Sequence, residues 1–311
     1  MNGKKLQRQY KDFLSDFKEW DKKKHAKEWL LFPENIGSQL SIDETALSQG
    51  ELYTIITNKK AKGKKGAIVA ILAGTKVEPI IEQLLKIPLA LRIKVTEITL
   101  DMAPTMKYIA KKCFPKAIQV TDRFHVQKLA IEALQDIRIK HRWDAIDQEN
   151  QEIQEAKNKN RSYKSVYLDN GDTRKQLLAR SRFLLFKSPG DWSSKQTERA
   201  EILFQLYPDI KKAFKIVQQL RNIYNQTTDV GVAYTKLAHW YKLVEESGFK
   251  AFNIVAKSIT LNYKSILNYF INRSTNASAE SFNAKIKAFR AQFRGVKNIE
   301  FFLYRLTNIF A

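Results

Sequence analysis

One cysteine, Cys113, stands alone in 311 residues, so no disulfide can form within the chain, and no group of Cys and His falls at zinc-ligand spacing. A reducing compartment is the setting this implies. No run reaches the length of an apolar membrane span, and the opening MNGKKLQRQYKDFLSDF carries charges where a signal peptide needs its apolar segment; the chain is expected to be neither secreted nor membrane-spanning. Fixed-period repeats are missing as well, which removes solenoids. Acidic residues are the scarcest class relative to their opposites: 32 Asp and Glu face 54 Lys and Arg, a formal charge of +22. Such an excess repels itself unless a polyanion balances it, and a phosphate backbone supplies the matching field. Wholesale disorder is excluded, because 44% of the residues are hydrophobic and 18 are phenylalanine.

The order of elements can be read from periodicity and breakers. Residues 5–30 read as a helix in which Tyr10, Phe13, Leu14 and Phe17 recur at helical spacing among lysines. LFPENIGSQ breaks it. Leu40–Leu47, Glu51–Thr57 and Ala67–Ala73 are rich in β-formers and are separated by SQG and the basic turn NKKAKGKKG, which predicts a three-stranded meander. EPIIEQLLKI follows as a helix, VTEITL as a fourth strand leading into Asp101, MAPTMKYIAKKCF as a second helix, and AIQVT as a fifth strand leading into Asp122. Beyond Arg123 the chain turns predominantly helical to about residue 270, and AESFNAKIKAFRAQFRG and KNIEFFLYRLTNIF close it as helices.

Three carboxylates stand out against this basic background. Asp43 and Asp101 sit at polar positions expected to end apolar strand cores, where ligands of an open α/β sheet gather. If the first and fourth strands are neighbours, the two acids converge, and their repulsion calls for a cation. Mg²⁺, with its hard oxygen ligands, is the natural one. Glu280 lies on a helix that also carries Lys285 and Lys287, cations able to hold a phosphate strand beside the acids. Each residue also has an ordinary reading taken singly: a turn cap at Asp43, a helix cap at Asp101, a solvated helix position at Glu280.

SIDETAL, TLDMAPTM, VTDRFHVQKL and STNASAESFNAKIKAFR occur in that order over residues 41–290. Together they resemble the catalytic region of DDE-class bacterial insertion-sequence transposases, in the group whose fifth strand ends in D-R-F-H. The resemblance implies an α/β fold with a ribonuclease H-like core and a large α-helical insertion before the last catalytic helix. It places the acidic triad on Asp43, Asp101 and Glu280, holding two Mg²⁺ ions with Mn²⁺ as the alternative. It also makes Asp122, Arg123, His125, Asn276 and Asn283 active-site neighbours or DNA contacts. His125 reads more readily as a structural histidine, because metal-activated water needs no histidine base. Asp122 and the two asparagines can equally serve as caps.

The chain departs from the family pattern in two ways. Ser281 follows the last acid, where many relatives have glycine, and the zinc-binding and helix-turn-helix region that relatives carry is not present, which points to a separate end-recognition polypeptide. The expected layout is a basic helical segment over 1–38, the first part of the core over 39–128, a helical insertion over 129–270 and closing helices over 271–311. The expected activity is metal-dependent cleavage of DNA at transposon ends with strand transfer to a target, by a homo-oligomer on double-stranded DNA in the cytoplasm, at the nucleoid. A nuclease or resolvase without strand transfer and a retired DNA-binding protein are the alternatives. In the helical block, Arg180, Arg182, Lys187, Lys195 and Arg199 are candidate DNA contacts, whereas Trp192 is expected to be packed.

Overall fold

The computed structural model describes residues 3–48, 50–292 and 296–311. It divides into two compact units, one taking in the chain up to Asp122 together with Lys264–Ala311, the other Arg123–Tyr263. The expected limit at 128/129 falls inside an uninterrupted helix, Arg123–Asn158.

The first unit is built on one mixed sheet. Its strands are β1 (Trp29–Leu31), β2 (Gln39–Ser48), β3 (Glu51–Asn58), β4 (Ile68–Ala73), β5 (Glu97–Leu100) and β6 (Ile118–Thr121), in the spatial order β1-β4-β3-β2-β5-β6. β2, β3 and β4 form the expected antiparallel meander, and β5 and β6 extend it as parallel strands on the other side of β2. The parallel pairs need crossovers, and the helices Val77–Leu85 and Pro104–Cys113 supply them. This is a ribonuclease H-like α/β core, with a large helical insertion before the helix that carries Glu280.

Period-two alternation assigns the residues of β2, β3 and β5 to a face, and in β4 the irregularity opposite Ile56 and Thr57 shifts the phase near Val69. Leu40, Ile42, Ile56, Val69, Leu72, Ile98 and Leu100 pack against Ile80 and Leu84 of the first crossover helix and Met106 and Ile109 of the second. The intervening residues Leu47, Tyr53, Ile55, Ile68 and Ile71 face a second layer made by Phe282, Ile286 and Phe289 of the helix Ala277–Gln292 and by Phe302, Leu303 and Leu306 of the helix Ile299–Phe310. Asp43, on the same parity as Leu47, therefore belongs to the face that the acidic helix covers.

The amino-terminal reading needs correction. Among the described residues of this segment, α-helix is confined to Gly3–Gln9, followed by a wider π turn at Tyr10–Leu14 and a 3₁₀ turn at Asp21–Lys24, and Trp29–Leu31 is a strand. Phe13 is 79% exposed, and of the four apolar positions only Phe17, at 4%, is buried, against Phe301 and Tyr304. Tertiary pairing overrides local helical spacing here, because Trp29, Leu30 and Leu31 find antiparallel partners in Leu72, Ile71 and Ala70.

In the second unit, Asp229 caps the helix Val230–Ser247 by accepting from the Val232 N–H at 2.8 Å, and Gly248, at φ +74°, ends it in the left-handed region. Trp192 is packed as expected: its indole donates to the Leu184 carbonyl at 2.9 Å and its ring stacks on Phe214. Arg180 and Arg199, candidate DNA contacts, both donate to the buried carboxylate of Asp172.

Cys113 is fully buried in the crossover layer, and burial pushes its thiol up to about 11. Near pH 8 the thiolate fraction is then on the order of 10⁻³. We expect iodoacetamide to label the native chain far more slowly than the chain unfolded in guanidinium; equal rates would contradict the packing.

Candidate active site

Strand register brings the first two acids together. β2 and β5 run parallel, with Gln39 beside Glu97, Leu40 beside Ile98 and Ser41 beside Thr99. Two residues further along each chain, Asp43 comes level with Asp101. Asp43 lies in the middle of β2, inside the expected strand Leu40–Leu47 and just after the apolar residues Leu40 and Ile42; Asp101 directly follows β5.

Each aspartate has a fixed orientation. Asp43 accepts the Glu44 N–H at 2.9 Å on one oxygen and the side-chain amide of Asn283 at 2.7 Å on the other. Asp101 accepts the Ala103 N–H at 2.8 Å, turning the chain into the helix Pro104–Cys113. The capping role thus coexists with a place beside Asp43.

The helix Ala277–Gln292 is pinned along β2 at two points. Asn283 donates to Asp43, and Arg290 donates to the Ala46 carbonyl at 3.0 Å. Seven helical residues and three strand residues both span about 10 Å, so the helix and the strand keep pace. Glu280 sits one turn before Asn283, about 4.5 Å along the axis, and its side chain is exposed. The structure joins Asn283 to Asp43 and levels Asp43 with Asp101; among the described residues, Glu280 does not form a common metal-holding group with the two aspartates. Among the described residues, no group of three or more His, Cys, Asp or Glu side chains is arranged to hold a metal ion.

Two neighbours escaped the sequence reading. Glu44 has its carboxyl pushed up, first by burial and then by the charges of Asp101 and Asp43. Lys107, one and a half turns after Asp101, donates to Ser265 at 3.0 Å; burial lowers its ammonium, while Asp101 holds it up. The only sequence signal for either was adjacency to an already chosen acid. A raised carboxyl beside two aspartates marks surplus negative charge, and the donors are all hard oxygens. Asp43 and Asp101 therefore fit a divalent cation.

The remaining candidates take other positions. Asp122 is 1% exposed; one oxygen accepts the Asn276 N–H at 3.3 Å, and its other oxygen and the Asn276 side-chain amide have no hydrogen-bond partner among the described residues. This contact sits at the entry to the acidic helix, where the Glu280 N–H donates to the Asn276 carbonyl. Arg123 and His125 open the helical unit: Arg123 donates to Asn225 at 2.8 Å and lies over the Tyr224 ring, and His125 packs edge-on against Phe124. Lys285 donates to the Gly63 carbonyl at 2.7 Å, and Lys287 is exposed.

A buried polar group also ties the sheet to the chain entering the acidic helix. Lys59 donates to Glu97 at 3.2 Å, to Thr99 at 2.8 Å and to Ser274, while Ser274 and Asn272 also reach Glu97. Nothing in the sequence marked Lys59, which is one of several lysines in its turn.

A family model described as a transposase, of the DDE class and ISL3 type, matches residues 40–306. The chain belongs to this DDE transposase family. The match spans the candidate residues Asp43, Asp101 and Glu280. Divalent metal dependence is general to that class. No curated protein matches the chain. Among solved structures, the Drosophila P element transposase strand transfer complex is similar at 12% identity and a TM-score of 0.39, covering 95% of this chain and 79% of that one. No described helix of this transposase-family chain is long and apolar enough to cross a membrane.

Proposed function

We propose that the chain is a transposase catalytic subunit that cleaves DNA phosphodiesters at the ends of an insertion sequence and joins the released 3′ hydroxyl to target DNA. The observation that carries this reading is the parallel β2–β5 register, which levels Asp43 with Asp101 under a helix pinned to Asp43 through Asn283. Asp43 and Asp101 would hold divalent ions, and Glu280, one turn from Asn283 and exposed, would supply the third carboxylate. Bound Mg²⁺ at such a site supplies a lowered pKa for the attacking water or hydroxyl and charge stabilisation for the leaving oxygen. Asn283 fixes the rotamer of Asp43, the Ala103 N–H fixes that of Asp101, and Asp122 holds the entry of the acidic helix through the Asn276 N–H. Lys287 and other exposed cations would hold the strand, which fits a chain of charge +22 acting on double-stranded DNA. Two ends must be brought together, so a homo-oligomer on DNA belongs to the same proposal.

A donor duplex carrying the element's ends, incubated with Mg²⁺ and a target plasmid, tests the reading. Strand-joined product is the expected outcome. Hydrolysis alone would assign a nuclease or resolvase, and binding without either reaction would assign a retired DNA-binding protein.

A further inference from the structure

The turn between β3 and β4, NKKAKGKKG over residues 58–66, carries five lysines. Only Lys59 turns inward, to Glu97. Lys60, Lys62, Lys64 and Lys65 are exposed, and none of the four ammonium groups meets a carboxylate or an aromatic ring among the described residues. A lysine run that merely solvates a loop needs no fixed shape. This one has a fixed shape. The Asn58 side chain accepts the Lys60 N–H at 3.0 Å and donates to the Asn35 carbonyl at 3.0 Å. Lys62 and Gly63 both take left-handed conformations, at φ +51° and +66°. The Lys64 N–H donates back to the Ala61 carbonyl at 3.0 Å, and the Ala67 N–H reaches the Phe310 carbonyl at 2.8 Å.

The turn is also attached to the acidic helix. Lys285, five residues after Glu280, donates to the Gly63 carbonyl at 2.7 Å, so the turn and the helix that carries Glu280 are held together. A Cβ at Gly63 would lie 3.1 Å from that ammonium, which explains the glycine at this point. Four exposed cations on a backbone of fixed shape concentrate positive charge on one turn, which suits a run of phosphates better than a single anion.

We infer that this turn is a docking surface for the phosphate backbone of duplex DNA flanking the bond to be cut. The inference rests on the proposed transposase reading and adds where the duplex is gripped. Lys285, previously expected to touch the strand beside the acids, acts instead as the positioning residue of the turn.

The test compares two chains that lose equal charge, each from +22 to +18 by replacing four lysines. One carries K60Q, K62Q, K64Q and K65Q. The other carries K94Q, K111Q, K112Q and K116Q, which are exposed on the segment and crossover helix serving the opposite sheet layer. Binding to a short duplex is followed against salt, and circular dichroism checks folding. The turn variant is expected to bind about tenfold or more weaker, with a log–log salt slope shallower by about 3, while the control stays near wild type. Equal losses in both would reduce the effect to overall charge and overturn the assignment, as would a turn variant with an unchanged slope. Loss confined to RNA of the same length, with duplex DNA binding intact, would also overturn it. D43N separates the two ideas: if D43N cleaves like wild type, the catalytic reading fails whatever the turn does, whereas a lost cleavage in D43N with normal DNA binding by the turn variant sinks only the turn.

Discussion

Asp43→Asn is expected to lower the DNA cleavage rate by about 10³-fold or more, with the fold and duplex affinity retained. The substitution is close to isosteric, and the local hydrogen bonds can survive it. The new amide oxygen can keep the Glu44 N–H, and Asn283, by flipping its own amide, can present its oxygen to the new NH₂ group. What disappears is the negative charge level with Asp101. A site that relies on divalent ions loses several kcal/mol of charge stabilisation when a ligand is neutralised, which sets the size of the effect. Asp101→Asn should behave alike, since its amide oxygen can still accept from Ala103. The measurement is single-turnover nicking of an end-containing duplex in Mg²⁺ and in Mn²⁺, with thermal denaturation alongside. A folded D43N chain that nicks at the wild-type rate would end the assignment of these aspartates.

Lys59→Met is expected to destabilise the fold by about 3–5 kcal/mol, the usual cost of breaking one side of a buried ion pair. Lys59 and Glu97 side chains are 12% and 6% exposed, and Glu97 would be left with Ser274 and Asn272 but no cation. Removing both charges, in K59M/E97Q, should recover a good part of the loss, because the second change removes the stranded carboxylate. The pH dependence supplies a second readout. Burial holds the Lys59 ammonium below the ordinary lysine range, outweighing the pull of Glu97. Between its folded value and the unfolded one near ~10.4, the unfolded chain binds more protons, so this residue's contribution to stability rises with pH in that window. K59M should lack that part of the rise. Urea titrations at neutral and alkaline pH measure both effects, and a loss below about 1 kcal/mol would mean the pair is more solvated than its packing indicates. Because Ser274 leads into Ala277–Gln292, cleavage by K59M should fall even under conditions where the chain stays folded.

Much of the candidate site was legible in the sequence, because its proposed acids lie in short motifs with distinctive neighbours. SIDETAL and TLDMAPTM mark Asp43 and Asp101 on strand-like runs, and the meander of β2, β3 and β4 follows from β-formers separated by turn residues. The strand-to-helix order after Leu40 was legible for the same local reason. Elsewhere the outcome depended on partners distant in sequence. Trp29–Leu31 looked helical, yet it pairs with β4, some forty residues later. Phe13 and Leu14 repeated at helical spacing, yet they stay exposed while Phe17 is buried against Phe301 and Tyr304 of the last helix and the half-exposed Tyr10 meets Phe301 from outside.

The sequence by itself determined the family to which the chain belongs and marked the candidate acids, since acid type, motif order and net charge are local properties of the chain. Only the tertiary structure decided how those residues meet. The β2–β5 register sets Asp43 level with Asp101, Asn283 reaches Asp43 across 240 residues, Lys59 alone among its neighbours turns inward, and Lys285 is drawn to Gly63. Each of these contacts is set by strand register and helix docking, and a local pattern carries no information about which distant backbone will come within hydrogen-bonding reach.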